Sequence, residues 1–326
     1  MNLELMIQDS KSGTIYDMGQ LVSSGIKWDT NISDQPGKLT FEYIDQEDII
    51  LNMGSVISLK VDGKGIFYGY LFKKSFSKIG KISVVAYDQM RYLKNKGIYS
   101  FSNMTASAIF SNICADFKLK SEVVNASMYI VGPRLHDNKT LFEAIQYGID
   151  ETLTNTGNWY MIRDNFGKLQ FVNVNTLKTN LFIGDASLLV DYDYNNSIDD
   201  DTYNQIQLVK ENKESKKRER FIVEDSNNIK QWGILQYFEK VDEKANAAQI
   251  QARAEMLLKL KNRSIKTLKL DTLGDLSVFA GTGVVVGISD LKKESVATNQ
   301  YFMVTKCTHS FSTDLHTMQL ELQVSV

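Results

Sequence analysis

The sequence predicts a mainly β chain with α/β portions: two similar small β-barrels, a mixed α/β module between them, and a helical insertion in the second barrel. Three observations carry that expectation. Short alternating strands punctuated by Gly and Asp fill both ends of the chain, the apolar period turns helical near residue 104, and a hairpin near the start is echoed at the end. A length of 326 residues suits two or three domains rather than one core.

The first barrel is expected over residues 1–97. "VISLKV" (56–61) is joined by "DGKG" to "IFYGYLFKK" (66–74), and Asp62, Gly63 and Gly65 supply the positive φ that tight hairpin turns need. "KLTFEYI" (38–44) alternates Leu39, Phe41 and Tyr43 with Thr40, Glu42 and Ile44, and "GKISVVAYD" (80–88) sets Ile82, Val84 and Ala86 on one face. The mixed module is expected over 98–185. Ala106, Ile109, Ile113 and Phe117 recur at helical spacing behind Thr105 as N-cap, and Leu141, Ala144, Ile145 and Ile149 repeat the pattern. "WYMIRD", "NFG" and "KLQFVNV" (159–174) then read as a hairpin.

Strand character returns over 186–230 and 263–326, the expected second barrel, with residues 231–262 as its helical insertion. The helix places Ala247, Ile250, Ala254 and Leu257 on one stripe, with Lys259, Lys261 and Arg263 at its C-terminal end. Setting 66–77, "IFYGYLFKKSFS", under 301–312, "YFMVTKCTHSFS", brings Ile82, Val84 and Ala86 under Met318, Leu320 and Leu322 if the later loop has one extra residue. That match predicts a duplication.

Composition narrows the functional classes. The chain is 43% hydrophobic and 23% charged with a net charge of −2, which gives no general pull toward nucleic acid or anionic lipid. Two cysteines, Cys114 and Cys307, make neither a disulfide framework nor a zinc module. The opening "MNLELMIQDSKS" lacks the pattern of a signal peptide, and no apolar run is long enough to span a bilayer. Folding in a reducing cytoplasm is the expectation.

His309 and His316 flank a short loop, and Cys307 shares a face with His309, so three zinc ligands are nominally at hand. No carboxylate or further histidine is placed to complete that set, and hairpin-end histidines commonly serve as hydrogen-bonded structural groups. From His316 the even positions Met318, Leu320, Leu322 and Val324 are apolar and the odd ones polar, which puts His316 on the core side. Ser310, Asp314 and His309 crowd one loop, whereas a catalytic triad converges from separate elements. "DYDYNNSIDDD" (191–201) starts like a calcium loop but has Asn196 and Thr202 where Gly and Glu belong. Asp150 and Glu151 adjoin on a helix and diverge by about 100°. The basic run 210–220 reads as an exposed hairpin tip that contacts a partner; it lacks aromatics for base stacking. No catalytic residue, cofactor or metal is expected.

Three stretches carry a family resemblance. "GKGIFYGYLFKKSFSKIGKISVVAYDQMRYLKNKGIYSF" resembles the first-barrel signature of baseplate hub proteins from contractile phage tails, PBSX-type prophage particles and R-type bacteriocins, the late-control-protein-D and tail-hub superfamily. "TASAIFSNICADFKL" is similar to the helix opening that family's second domain, and the closing H-x-F-x-x-x-x-H-x-M-x-L-x-L pattern to its C-terminal hairpin. The resemblance implies a non-enzymatic homotrimer, three chains with two barrels each, adapting a sixfold tail tube to a threefold spike around a channel. It implies as partners the tail tube protein, the tape-measure protein, the spike protein and a LysM-bearing baseplate protein, with no membrane and no specific nucleic acid, in a virion or tail-like particle assembled in the bacterial cytoplasm. Phe67, Tyr68, Tyr70 and Phe72 are expected to support the first barrel, and Tyr301, Met303, His309, His316, Met318 and Leu320 the second. Two rival readings stand beside it, a tail-associated cell-wall hydrolase and a receptor- or carbohydrate-binding β protein.

Overall fold

Strands take 49% of the described residues and helices 21%, so sheets carry the core. The computed structural model describes all residues except 33, 79, 200, 212–217, 244, 295, 297, 313 and 325–326, and omits the side chains of 23, 24, 298 and 324. The chain falls into two compact units. One comprises Met1–Ile149, Trp159–Asp193 and Leu268–Val326; the other comprises Asp150–Asn158 and Tyr194–Thr267.

The first unit opens with β1 (Leu3–Gln8), β2 (Ile15–Asp17), β3 (Val22–Asn31), β4 (Lys38–Ile44), β5 (Val56–Val61), β6 (Lys64–Phe76) and β7 (Lys81–Tyr87). Asp62 and Gly63 both take positive φ, 49° and 77°, so β5 and β6 are joined by the two-residue turn that Asp-Gly favours. The alternation seen in the sequence is the burial pattern. Leu39, Phe41 and Tyr43 of β4 and Ile82, Val84 and Ala86 of β7 are buried against Leu5, Ile57, Leu59 and Phe67, each contributing about 2 kcal/mol of burial. Asp9 ties the loops at one end, accepting from the backbone of Lys11, Ser12 and Asn52 and from the side chains of Ser12, Asn52 and Ser55.

A 3-10 turn, Gln89–Lys94, is capped by Asp88 and leads into β8 (Lys96–Phe101), which pairs with β10 (Arg134–Thr140). Between them lie α1 (Ala106–Asp116) and β9 (Ser121–Val123); α2 (Leu141–Thr156), β11 (Tyr160–Asp164) and β12 (Leu169–Asn173) follow. Thr105 caps α1 by accepting from the Ala108 N–H. Ala106, Ile109 and Ile113 of α1 and Leu141, Ala144, Ile145 and Ile149 of α2 close over Tyr160, Ile162, Leu169 and Phe171. The turn between β11 and β12 docks on the first strands, and a Cβ on Gly65 would lie 2.6 Å from the Phe166 ring.

The remaining strands are β13 (Lys178–Gly184), β14 (Leu189–Ser197), β15 (Gln205–Glu211), β16 (Arg218–Glu224), β17 (Gln236–Val241), β18 (Ile265–Leu273), β19 (Gly283–Gly287), β20 (Thr298–Phe311) and β21 (His316–Val324). The expected second barrel is divided differently. β15 and β16, expected in it, instead form a separate three-stranded sheet of the second unit, in which β15 lies between β16 and β17 and pairs with both. The helices of this region are α3 (Ser226–Trp232) and α4 (Ala247–Lys261). Ile250, Ala254 and Leu257 of α4 cover Ile206 and Leu208, while Ala247 lies exposed in its first turn. Arg253 bridges Glu151 and Glu239 at 3.1 and 3.0 Å, which ties the end of α2 to this sheet.

The largest departure is the joining of the two β modules. β20 pairs antiparallel with β3, His309 opposite Trp28, so both belong to one thirteen-stranded sheet. Its main path runs β14, β18, β21, β20, β3, β4, β7, β6, β5, β1, β2, with β19 and β13 branching from β20. Among the described residues, no pairing closes either expected barrel. The β6–β7 and β20–β21 hairpins do share a bulge. Phe72 is the extra residue between Leu71 and Lys73, and Thr305 between Val304 and Lys306. Superposing the bulges sets Ile82, Val84 and Ala86 on Met318, Leu320 and Leu322. It sets Phe76 on His309 rather than on Phe311, because the second hairpin runs further before it turns.

Candidate functional site

The histidine pair sits where β20 and β21 leave the sheet. His309 points inward from β20 and is fully buried, its ring 4.9 Å from Trp28 and 5.8 Å from Phe311. Its Nε2 lies 2.8 Å from the Val278 carbonyl oxygen and its Nδ1 2.8 Å from His316 Nε2. A carbonyl only accepts, so His309 carries its proton on Nε2. In the neutral ring Nδ1 must then accept, and His316 Nε2–H donates. Burial lowers His309 to about 4, against the contrary pull of the Val278 bond. Burial also lowers His316, opposed by Asp275. The His316 ring stacks on Phe311 at 4.5 Å and lies over Gly274, where an added Cβ would come within 2.1 Å of it. Only glycine leaves room there.

The groups around the pair are already engaged. Both His309 nitrogens are engaged, and Cys307, whose Sγ faces the Val278 carbonyl at 3.9 Å, is pushed well up by burial and stays a thiol. Among the described residues there is no cluster of three or more potential metal-ligating His, Cys, Asp or Glu side chains. Ser310 faces away from His309 on the same strand and Asp314 is exposed, so the three do not converge. Met318 and Leu320 are core residues. Met303 packs instead with Met161, Val172 and Val174 of the mixed module. Tyr301 is exposed beneath Lys178, whose Nζ lies 5.5 Å from the ring.

The aromatics of β6 divide between two faces. Phe67 is in the core, whereas Tyr68, Tyr70 and the bulge residue Phe72 turn outward. The outward rings form a chain. Phe166 meets Tyr68 at 5.8 Å and Tyr68 meets Tyr70 at 6.3 Å; Tyr70 meets Tyr92 at 5.8 Å, Tyr92 meets Phe72 at 6.0 Å, and Phe72 meets Tyr87 at 5.6 Å.

Sequence reasoning also passed over a cavity of about 300 Å³ walled by Trp28, Ile66, Phe67, Met161 and Phe279. It contains two carboxyls that burial raises, Asp88 well above its ordinary value and Asp164 to about 6. Asp88 accepts from the backbone N–H groups of Gly37 and Met90 at 2.8 and 2.9 Å. Asp164 accepts from Gly167 N–H at 2.7 Å and hydrogen bonding from Gln89 opposes the rise, while its Oδ2 has no hydrogen-bond partner among the described residues. The Arg163 guanidinium lies 4.0 Å from the Phe279 ring. Of the basic run 210–220, residues 212–217 lie outside the described residues, and Arg218 pairs with Glu211 at 2.6 Å. No helix among the described residues is long and apolar enough to cross a membrane.

A bulged hairpin repeated within one sheet, with a mixed α/β module between its two copies, can be compared with known proteins. The profile of the YQBQ-like family matches residues 26–323, and the chain belongs to that family. Two relatives from Bacillus subtilis (strain 168) are similar along most of their length. YqbQ is 25% identical over 310 residues, 93% of this chain and 92% of its own. The phage-like element PBSX protein XkdQ is 27% identical over 287 residues, 85% of this chain and 84% of its own. The fold is that of the 43 kDa tail protein of prophage MuSo2 from Shewanella oneidensis, with a TM-score of 0.71 at 14% identity and 98% of each chain covered.

Proposed function

We infer that the chain is a structural component of a phage tail or tail-like particle, and within it the baseplate hub. Three copies form a ring around a channel, and their six similar β modules present a sixfold face to the tail tube while the rest of each chain keeps the threefold symmetry of a spike. The observation that carries this reading is the duplicated bulged hairpin, because two equivalent modules per chain are what a trimer needs to match a sixfold tube. The PBSX relative and the fold shared with a prophage tail protein support the setting. The work is mechanical rather than catalytic. The modules act as barrel-like units whose open edges are covered by neighbours in the ring. The histidine pair holds the last hairpin to the Val278 loop. The partners are the tube protein, the tape-measure protein, the spike and a LysM-bearing baseplate protein, in a phage, a defective prophage particle or an R-type bacteriocin. Gold-labelled antibody against the chain should mark the end of the tail in electron micrographs. Label spread along the tube would refute the assignment.

One observation favours a second reading, a cell-wall hydrolase: Asp88 and Asp164 share one cavity with raised carboxyls, the kind of pair such chemistry uses. The backbone bonds that occupy Asp88 argue for a structural cap. Clearing of peptidoglycan in a gel, abolished by Asp164→Asn, would establish the hydrolase instead.

A further inference from the structure

The outward ring chain runs into a groove of about 530 Å³ in the same unit. Tyr87 and Arg91 belong to both. Arg91 lies over Phe72 with its guanidinium carbon 5.4 Å from the ring centre, and Tyr87 meets the same ring. The groove brings four cations, Lys38, Arg91, Lys94 and Lys306, against one carboxylate, Asp29. Lys38 is matched by Asp29 at 2.9 Å and Lys306 by Glu321 at 3.3 Å. Arg91 and Lys94 make no salt bridge among the described residues, although Lys94 is close enough to Asp34 to oppose the rise that burial imposes on that carboxyl. The bulge at Phe72 delivers this ring to the surface, where it is 36% exposed.

We propose that this face, the rings of Tyr70, Phe72, Tyr87 and Tyr92 with Arg91 and Lys94, docks an acidic segment of another protein that also carries apolar side chains. Tyr, Phe and Arg together are the composition of interface hot spots, where a ring gives area and a guanidinium gives a directed contact to carboxylate. Arg91 and Lys94, which make no salt bridge among the described residues, set the charge of the occupant. Nucleic acid fits less well. A base-stacking platform needs free ring faces, and here Phe72 meets Tyr87 at 70° and Tyr70 meets Tyr92 at 66°, with Arg91 already over Phe72. The assignment does not rest on the ring reading, since any tail component must hold its neighbours.

The probe is a short fluorescent peptide alternating Glu with Leu and Phe, titrated with the full-length protein and followed by anisotropy. Controls are the same peptide with Lys in place of Glu and an oligothymidylate of similar length. Binding of the acidic peptide alone is expected, weakening with salt. It should fall about tenfold in Phe72→Ala and further in the double variant Arg91→Glu, Lys94→Glu. Lys292→Glu with Lys293→Glu, on the 3-10 turn Ser289–Glu294, should leave it unchanged. Absence of binding, or equal binding by the face variants, overturns the proposal. Tighter binding of the oligothymidylate would make the face a nucleic-acid site. A drop in the protein's own assembled mass in the face variants would make the occupant a second copy; either result overturns the assignment.

Discussion

His309 gives the protein a specific sensitivity to acid. Burial holds its imidazole at about 4 in the folded chain, against an ordinary value of 6.5. As pH falls through 6.5 the unfolded chain takes up the proton and the folded chain does not, so stability declines from there down to about pH 4 and loses nothing further from this residue below that. The slope approaches about 1.4 kcal/mol per pH unit, about 3 kcal/mol over the whole window. Carboxylates titrate in the lower part of that range, so the informative quantity is the difference between wild type and His309→Gln. Glutamine retains a donor and an acceptor but does not titrate and loses the stacking on Trp28. Guanidinium unfolding followed by tryptophan fluorescence should find the variant about 1–2 kcal/mol less stable at pH 7. At pH 5 wild type alone should have lost about 2 kcal/mol through its buried neutral imidazole, so the gap should vanish or reverse. A gap that stays constant between the two pH values would refute the assignment of a buried, neutral His309.

Further outcomes follow from the packing. Gly274→Ala should cost about 1–3 kcal/mol and lower the melting temperature, since its Cβ would strike the His316 ring; His316→Ala in the same chain should recover most of the loss. Ile250→Ala should destabilise the second unit by about 2–4 kcal/mol, read as loss of hydrogen-exchange protection in β15 but not in β6. His316→Gln should leave assembly largely intact, and elemental analysis of the native protein should find no stoichiometric zinc; one zinc per chain would contradict the structural role given to the pair.

Much of the local structure was legible. The Asp62-Gly63 turn, the Thr105 cap and the stripes of α1 and α2 each depend on residues a few positions apart, and such patterns survive folding. The pairing of β3 with β20 was not. Trp28 and His309 are far apart in the chain, and neither strand's alternation names its neighbour. The same limit misassigned β15 and β16, whose pattern reports a buried face without saying that α4 covers it. For the candidate site, alternation from His316 set the direction of the ring, but the Val278 carbonyl that fixes the tautomer comes from a loop with no motif. Phe67, Tyr68, Tyr70 and Phe72 read as one aromatic strand; the period of two separates Phe67 from Tyr68 and Tyr70, and the bulge that re-aims Phe72 leaves no mark in the sequence.

The ring is tested most directly by the mass of the purified protein in solution, by sedimentation equilibrium, with negative-stain images of the same sample. The account predicts three chains in a particle with a central hole and a pseudo-sixfold outline, formed alone or on adding the neighbouring tube and spike proteins. A chain that stays monomeric with both neighbours present would contradict it.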